Sequence, residues 1–312
     1  MLKILFMGTP DFAEKSLKSL YEKGYNICGV VTTPDQFGGR GMKLIISPVK
    51  QFALEKNLKL FQPEKIANNE EFKNEIRELK PDVICVVSYG KILPKSFIQI
   101  PEKGCINVHP SLLPKYRGPA PIQWAIINGD KITGVSTMYI NEKMDAGDII
   151  LQKEVEIENY ETTGELWNRL AVIGSELLVE TIGKVENGKA PRKKQEENFT
   201  LAPMLEREIS KIDWRAKTTA EIINLVRGLN PIMGAYSLIN NKKIKFWKVK
   251  EIEYSSNSEP GTVILSEEKN GLYIKTIDGA ISVLEIQGEN AKKMNINEFL
   301  RGNKITVGSK FI

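Results

Sequence analysis

The stretch that most constrains the fold is residues 104–130, GCINVHPSLLPKYRGPAPIQWAIINGD, which holds the only histidine of the 312-residue chain. It begins as a short apolar strand, passes through a loop with four prolines from Pro110 to Pro121, and ends in a helix predicted over 122–128. Pro110 ends the strand because proline lacks the N–H that a sheet ladder needs. The four prolines restrict the backbone, so we predict a rigid loop directly after the strand.

Asn107 and His109 lie two residues apart at the end of this strand. Residues i and i+2 of a strand face the same side, so the amide and the imidazole project together from its carboxyl end. Open α/β sheets bind ligands at that edge. Both groups can donate hydrogen bonds to an oxyanion, and histidine can move a proton near neutral pH. The same pattern also fits a polar pair with a purely structural role.

The residues before this stretch alternate between strand and helix patterns. Strands are predicted at 3–7, 25–32 and 83–87, with helices at 13–24, 47–56 and 68–79 between them. This alternation indicates right-handed βαβ units and a Rossmann-like parallel sheet. The turn at Gly8 lacks the GxGxxG spacing of a dinucleotide site.

The composition excludes several classes of protein. No apolar run reaches 18 residues, so no membrane span is predicted. The first eight residues read as a strand rather than a signal peptide. Cys28, Cys85 and Cys105 lie in apolar runs, which is typical of buried thiols in the reducing cytoplasm. One histidine and no paired cysteines predict that the chain has no metal site.

The run HPSLLPKYRGPAPIQWAI, followed by GD and TGVSTM, resembles the signature of the 10-formyltetrahydrofolate-dependent formyltransferases. The resemblance extends from Lys3 into the C-terminal region. It implies that Asn107 and His109 are catalytic and that 10-formyltetrahydrofolate is the cosubstrate. It also implies that folate is bound by the SLLP turn and by the loop after strand 83–87, through Ser111, Leu112, Leu113, Pro114, Val87, Tyr89 and Ile92.

The second chemical landmark is the sequence MDAGD at residues 144–148. Asp145 matches the catalytic aspartate of the family, which implies a carboxylate that orients His109 and holds a water. Considered without the family, an aspartate in such a turn could simply bond its own backbone. Asp148 is predicted to form that turn.

The C-terminal third carries the whole excess of positive charge. Residues 207–312 contain 17 Lys+Arg and 12 Asp+Glu, which accounts for the full net charge of +5. Short strands with lysines and aromatic residues follow one another there, which fits a small OB-like β-barrel domain or another small antiparallel domain. We predict a formyltransferase domain at 1–189, a linker at 190–208 and the OB-like domain at 209–312.

The form of the signature implies that the acceptor is initiator methionyl-tRNA. The sequence does not fix the oligomeric state, but nothing in it requires more than a monomer, so a monomer is predicted. The glycine-rich segment 34–43 is predicted to be a mobile basic loop, and a similar loop of the family closes over the charged end of the tRNA. Met204 stands where relatives often have a basic residue, which predicts weak tRNA contact from the linker. The predicted tRNA-binding residues are Arg40, Lys43, Arg207, Lys211, Lys243, Lys245 and Lys248.

Three rival functions remain open at this point. A sugar-nucleotide N-formyltransferase is expected to resemble residues 1–200, and a glycinamide ribonucleotide formyltransferase would end near the linker. The basic C-terminal third favours the tRNA acceptor over both. A catalytically inactive RNA-binding protein is the third rival, and the presence of Asn107, His109 and Asp145 argues against it.

Overall fold

The computed structural model describes residues 1–38 and 43–312. The chain divides into two compact units. The first unit comprises Met1–Pro119, Ile132–Glu156 and Trp167–Ala202. The second unit comprises Ala120–Lys131, Ile157–Leu166 and Pro203–Ile312. The boundaries 1–189, 190–208 and 209–312 stay a prediction.

Through the first half of the chain, helices separate most of the strands among the described residues. The strands up to residue 156 are β1 (Lys3–Gly8), β2 (Asn26–Val31), β3 (Gln36–Gly38), β4 (Lys43–Ile45), β5 (Leu60–Phe61), β6 (Val83–Val87), β7 (Cys105–His109), β8 (Ile132–Tyr139) and β9 (Ile149–Glu156). The helices are α1 (Asp11–Glu22), α2 (Pro48–Glu55), α3 (Glu70–Leu79), α4 (Lys95–Ile98), α5 (Pro121–Ile127), α6 (Thr163–Glu186), α7 (Thr219–Gly228) and α8 (Ile296–Gly302).

The first unit is built on a seven-stranded sheet in the order β5-β2-β1-β6-β7-β8-β9. The five strands from β5 to β7 are parallel, which confirms the predicted Rossmann-like sheet. The last two strands are antiparallel, with His109 opposite Ser136 and Ile106 opposite Tyr139. The carboxyl end of β7 therefore lies beside Ser136 in the middle of β8, and residues from both strands meet there.

The turn after β1 requires glycine at position 8. A Cβ there would lie 2.5 Å from the Cβ of Ala13 and 2.8 Å from the carbonyl oxygen of Val87. Helix α1 can therefore begin directly after β1 and pack closely on the sheet, because no side chain separates them.

Part of the predicted loop 34–43 is not a loop. Residues 36–38 and 43–45 form β3 and β4, which pair antiparallel with Gln36 opposite Ile45. The loop prediction was wrong for residues 36–38 and 43, because the glycines and charges of the segment outweighed the β-favouring Phe37 and the adjoining Leu44 and Ile45. Arg40 lies outside the described residues.

The second unit contains the antiparallel β domain predicted for the C-terminal third. Its strands are β10 (Ala235–Ile239), β11 (Lys242–Ile252), β12 (Val263–Glu267), β13 (Gly271–Lys275), β14 (Ala280–Gln287) and β15 (Met294–Asn295). Five of them run in the order β10-β11-β14-β13-β12, and β15 pairs with β14.

The C-terminal segment 309–312 joins the two edges of this sheet. Ile312 exchanges two backbone hydrogen bonds of 2.9 Å with Leu238 on β10, and the Val263 N–H of β12 donates to the Ser309 carbonyl at 2.9 Å. Both outer strands are thereby paired, so the sheet closes into a barrel. Phe311 lies inside among Trp214 and Phe246, with ring centroids 6.0 and 5.4 Å away.

No helix in the part of the chain that the structure describes is long and apolar enough to cross a membrane.

Candidate active site

His109 ends β7 with its side chain almost fully buried, at 4% exposure. Its Nε2 lies 2.9 Å from the carbonyl oxygen of Tyr116. A carbonyl oxygen can only accept, so Nε2 carries a hydrogen and donates it. The direct bond that orients the ring thus comes from the main chain of the proline-rich loop, where sequence analysis expected Asp145.

The other ring nitrogen of His109 faces a carboxylate. Nδ1 lies 3.7 Å from Oδ2 of Asp145, whose side chain is 16% exposed. This distance exceeds a direct hydrogen bond, so a water or a substrate oxygen can still bond to Nδ1, which carries a hydrogen only when the imidazole is protonated. A protonated imidazole therefore has a carbonyl acceptor on one side and a negative charge on the other. Asn107 lies half-buried two residues earlier on the same strand.

Asp145 does not use its carboxylate within its own turn. Oδ2 accepts a hydrogen bond of 2.9 Å from the Gly118 N–H, which belongs to the loop after β7. The backbone of Asp145 has φ +48°, a left-handed conformation that is uncommon for residues other than glycine. The backbone of Asp145 directs the carboxylate toward the loop after β7, in which the Tyr116 carbonyl also bonds to His109.

The SLLP turn is fixed by side chains of β8 and β9. The Ser136 hydroxyl donates to the Ser111 carbonyl at 2.6 Å and accepts from the Leu113 N–H at 3.1 Å. Gln152 donates to the Leu113 carbonyl at 2.9 Å. The side chains of Ser111 and Leu113 are buried, whereas Leu112 and Pro114 are half-buried. A ligand at this turn would therefore meet Leu112, Pro114 and the main chain.

The loop after β6 contains the other predicted folate residues. Val87 is buried at the end of the strand, and Ile92 is 80% exposed. Tyr89 is 2% exposed, and its hydroxyl has no hydrogen-bond partner among the residues that the structure describes. Burial raises the pKa of Tyr89 to about 12, so the phenol is neutral at physiological pH. The three side chains thus differ widely in their access to a ligand.

The predicted tRNA-binding residues of the second unit include a row of lysines on β11. Ile244 and Phe246 face inward. The pairing of β11 with β14 is irregular around Trp247, and beyond it Val249 is the residue that faces inward. A β-bulge shifts the alternation by one residue. Because of this bulge, four lysines lie on the outer face of β11: Lys243, Lys245, Lys248 and Lys250.

These lysines have different local environments. The side chain of Lys243 is exposed, and its ammonium lies 3.7 Å from the centroid of the Tyr236 ring. Lys245 is half-buried and donates to the Met233 carbonyl at 2.7 Å, and burial lowers the pKa of Lys245. Lys248 is exposed. Only part of the positive charge on this face is therefore fully available to a polyanion.

The remaining predicted tRNA-binding residues lie elsewhere on the chain. Arg207 opens a short 3-10 helix, and both Arg207 and Lys211 are exposed. Lys43 begins β4, and its main chain pairs with Gly38.

Gln195 is not among the site residues predicted from the sequence, and its side-chain amide donates to the Asp145 carbonyl at 2.9 Å. It lies in the polar segment KKQEE, which has no hydrophobic periodicity and was assigned to the linker. Within residues 1–38 and 43–312, no group of three or more His, Cys, Asp or Glu side chains is placed to hold a metal ion.

The fold and this site define a class of protein. The family described as "Formyl transferase" matches residues 2–182, and "Formyl transferase, C-terminal domain" matches residues 204–304. Together the two matches cover most of the chain. The protein is a formyltransferase, as its sequence signature predicts.

Curated relatives narrow this class further. The methionyl-tRNA formyltransferase of Caldanaerobacter subterraneus subsp. tengcongensis is 47% identical over 309 residues, covering 99% of both chains. That of Clostridioides difficile is 47% identical over 308 residues, covering 98% of this chain and 99% of the relative. The chain belongs to the methionyl-tRNA formyltransferase family.

Solved structures confirm the fold. HypX from Aquifex aeolicus in complex with tetrahydrofolic acid aligns with a TM-score of 0.66 at 19% identity, covering 99% of this chain and 50% of HypX. The sugar 3N-formyl transferase WlaRD aligns with a TM-score of 0.67 at 22% identity, covering 94% of this chain and 99% of WlaRD. Since WlaRD aligns over 94% of this chain, the presence of a second unit does not by itself distinguish a tRNA enzyme from a sugar enzyme.

Proposed function

We propose that this protein transfers the formyl group of 10-formyltetrahydrofolate to the α-amino group of methionyl-initiator tRNA. The product is formylmethionyl-tRNA, which is used for translation initiation. The observation that carries the proposal is the pair formed by His109 Nδ1 and Asp145 Oδ2, which lie 3.7 Å apart, with Asn107 on the same strand as His109. The chain that holds this pair is 47% identical to a methionyl-tRNA formyltransferase.

The chemistry follows from the donors and acceptors at this edge of the sheet. The amine attacks the formyl carbon, a C–N bond forms, and negative charge develops on the formyl oxygen. The Asn107 amide and the Nδ1–H of protonated His109 donate to that oxygen. Such donors typically contribute roughly 10²–10³ to turnover. The bond between Nε2 and Tyr116 keeps the ring in place without occupying Nδ1.

Asp145 serves the proton transfers. Through a water it accepts a proton from the attacking nitrogen and passes one to the folate nitrogen as the original C–N bond breaks. The Gly118 N–H holds the carboxylate at a fixed position during both transfers. No net proton is gained or lost, because the amine loses the proton that the folate nitrogen gains.

We assign folate binding to the SLLP turn and to the loop at residues 87–92. Leu112, Pro114 and the exposed Ile92 offer apolar contacts to a pterin ring, and the turn offers main-chain hydrogen-bonding groups. The hydrogen bonds of Ser136 and Gln152 give the turn its shape before any ligand arrives. A preformed turn reduces the entropy lost on binding.

We assign tRNA binding to Lys243, Lys245 and Lys248 on the outer face of β11, together with Arg40, Lys43, Arg207 and Lys211. Lysine charge beside aromatic rings suits a polyanion with exposed bases. We further propose that the protein acts in the cytoplasm, where translation initiates, and as a monomer.

The experiment that tests the proposal offers a panel of amines. The purified protein is incubated with 10-formyltetrahydrofolate and, separately, charged initiator methionyl-tRNA, charged elongator methionyl-tRNA, an amino-sugar nucleotide and glycinamide ribonucleotide. Product masses identify the formylated species. We expect formylmethionine on the initiator tRNA at the highest rate. Formylation of the sugar nucleotide or of glycinamide ribonucleotide alone would contradict the proposal.

A further inference from the structure

The segment that follows α6, residues 193–202, bonds to both loops of the candidate active site. We call it the strap. At one end, Lys193 exchanges backbone hydrogen bonds of 2.8 and 3.0 Å with Ile149, at the start of β9. At the other end, the Thr200 hydroxyl accepts from the Tyr116 N–H at 2.8 Å, and the Ala202 N–H donates to the Arg117 carbonyl at 2.7 Å. The strap therefore belongs to the first unit.

Gln195 lies in the middle of the strap. Among residues 191–200, all of which the structure describes, it alone is half-buried and the others are exposed. Its amide nitrogen donates to the carbonyls of Asp145 and Gly147, at 2.9 and 2.8 Å. Its amide oxygen accepts from Nε and Nη2 of Arg117, at 3.0 and 2.8 Å. The side chain thus uses both of its hydrogens and both lone pairs of its oxygen.

Arg117 joins Gln195 to the loop that holds His109. Its guanidinium stacks 4.3 Å above the centroid of the Phe199 ring, which is also part of the strap. On either side of Arg117, the Tyr116 carbonyl accepts from His109 and the Gly118 N–H donates to Asp145. One amide side chain therefore connects the loop whose carbonyl bonds to the His109 imidazole with the turn that carries the Asp145 carboxylate.

The Asp145 turn needs such support. A left-handed backbone conformation costs a residue other than glycine about 1 kcal/mol. At the next glycine, a Cβ on Gly147 would lie 1.7 Å from the Tyr139 carbonyl oxygen, so the turn is held tightly against β8. Gln195 donates to the carbonyls of both Asp145 and Gly147, which stabilises this conformation.

We propose that Gln195 is a positioning residue for formyl transfer, which holds the Asp145 carboxylate opposite Nδ1 of His109. The inference deepens the proposed function and rests on it. Only an amide meets the geometry, because it must donate to two carbonyls and accept from a guanidinium. Glutamate has no donors and lysine has no acceptors, so neither can replace it.

The first test needs no substrate. His109 is the only histidine of the chain, so the ring signals in a histidine-selective ¹⁵N NMR spectrum belong to one residue. We expect Gln195→Ala and the near-isosteric Gln195→Glu to move and broaden these signals at constant pH. The exposed neighbour Glu196 provides the control, and Glu196→Ala should reproduce the wild-type spectrum. Wild-type ring signals in a folded Gln195 variant would overturn the proposal.

The second test is kinetic. A misplacement of about 1 Å in a catalytic group can cost about 100-fold in rate, so we expect Gln195→Ala to lower kcat at least about tenfold with little change in KM. In an Asp145→Ala background the same change should cost less than about twofold, because both substitutions act through one carboxylate. Additive losses would overturn the proposal. If wild-type protein formylates no acceptor, the proposed function fails, and the NMR comparison still tests the positioning.

Discussion

The Nδ1 atom of His109 lies 3.7 Å from Oδ2 of Asp145, and the same carboxylate oxygen accepts a hydrogen bond from the Gly118 N–H. His109 comes from the end of β7, and Asp145 comes from the turn before β9. The two residues meet because β8 runs antiparallel to β7 and β9 antiparallel to β8. The separation leaves room for a shared water or substrate atom, while the carboxylate is already fixed.

The first prediction concerns the hydroxyl that shapes the SLLP turn. Ser136→Ala removes the group that bonds to Ser111 and Leu113 and leaves buried main-chain groups unsatisfied, which costs about 1–3 kcal/mol. We expect the KM for 10-formyltetrahydrofolate to rise about tenfold or more, with a smaller change in the KM for tRNA.

Steady-state kinetics with each substrate varied in turn measures this difference. Thr133→Val is the matched control, because Thr133 is buried on the same strand and its hydroxyl has no partner among the described residues. An unchanged folate KM in Ser136→Ala, or an equal effect of Thr133→Val, would count against this role of the turn.

The second prediction concerns stability. Gly8→Ala places a Cβ 2.5 Å from the Cβ of Ala13, and such overpacking costs about 1–3 kcal/mol. Hydrogen exchange of the β1 and β6 amides should accelerate accordingly. Gly183→Ala, within α6, is the control, because the nearest atom to the new Cβ would be the Tyr25 hydroxyl oxygen at 3.8 Å, an ordinary contact distance. Alanine stabilises a helix interior by up to about 1 kcal/mol relative to glycine, so this variant should not accelerate exchange.

The third prediction concerns pH. Asp278 accepts from the backbone N–H and the hydroxyl of Thr219, at 2.8 and 2.7 Å, and these hydrogen bonds hold the pKa of Asp278 below its ordinary value of 3.8. A lowered pKa in the folded state stabilises the fold above the ordinary pKa. That stabilisation is lost as the pH falls through the folded-state pKa.

We therefore expect Asp278→Asn to lower the free energy of unfolding at pH 7 by less than about 1 kcal/mol, because solvent screens this exposed carboxylate, and by less still as the pH falls below about 4. Urea unfolding followed by tryptophan fluorescence measures this, because Trp124, Trp214 and Trp247, three of the four tryptophans, lie in the second unit. Thr219→Ser keeps both donors and should behave like wild type. A wild-type–mutant difference that does not depend on pH would contradict this account.

The fourth prediction concerns tRNA binding. If Lys243 contacts a phosphate, Lys243→Ala should reduce the slope of log Kd against log salt concentration by about one. Lys269→Ala, at an exposed lysine in the turn before β13, is the charge-matched control and should leave the slope unchanged. Lys245 is less suitable for this test, because its bond to the Met233 carbonyl also contributes to stability. An unchanged slope in Lys243→Ala would remove this lysine from the tRNA surface.

Local patterns predicted much of this fold. The strand Val83–Val87 has the predicted bounds, because a continuous apolar run is a strong local signal. The antiparallel direction of β8 relative to β7 was not predicted, since strand direction depends on connections that periodicity does not encode. The closing segment 309–312 was missed for a similar reason, because its partners Leu238 and Val263 are distant in sequence.

The candidate site shows the same limit. Asn107, His109 and Asp145 could be selected from their residue types and from the family signature, and the structure brings His109 and Asp145 together. The bond between Nε2 and the Tyr116 carbonyl could not be predicted, because every residue has a carbonyl. Gln195 could not be predicted either, because a single amide in a charged segment has no recognisable pattern in the sequence until its hydrogen-bond partners are known.

The most direct test of the central claim is the single-turnover rate of formyl transfer to methionyl-initiator tRNA at saturating folate. Asn107→Ala, His109→Ala and Asp145→Asn should each remain folded and lose at least about 100-fold in rate. Asp148→Asn, in the same turn, is the matched control and should stay within about threefold of wild type. A near-wild-type rate in any of the three would remove that residue from the mechanism, and near-wild-type rates in all three would contradict the account.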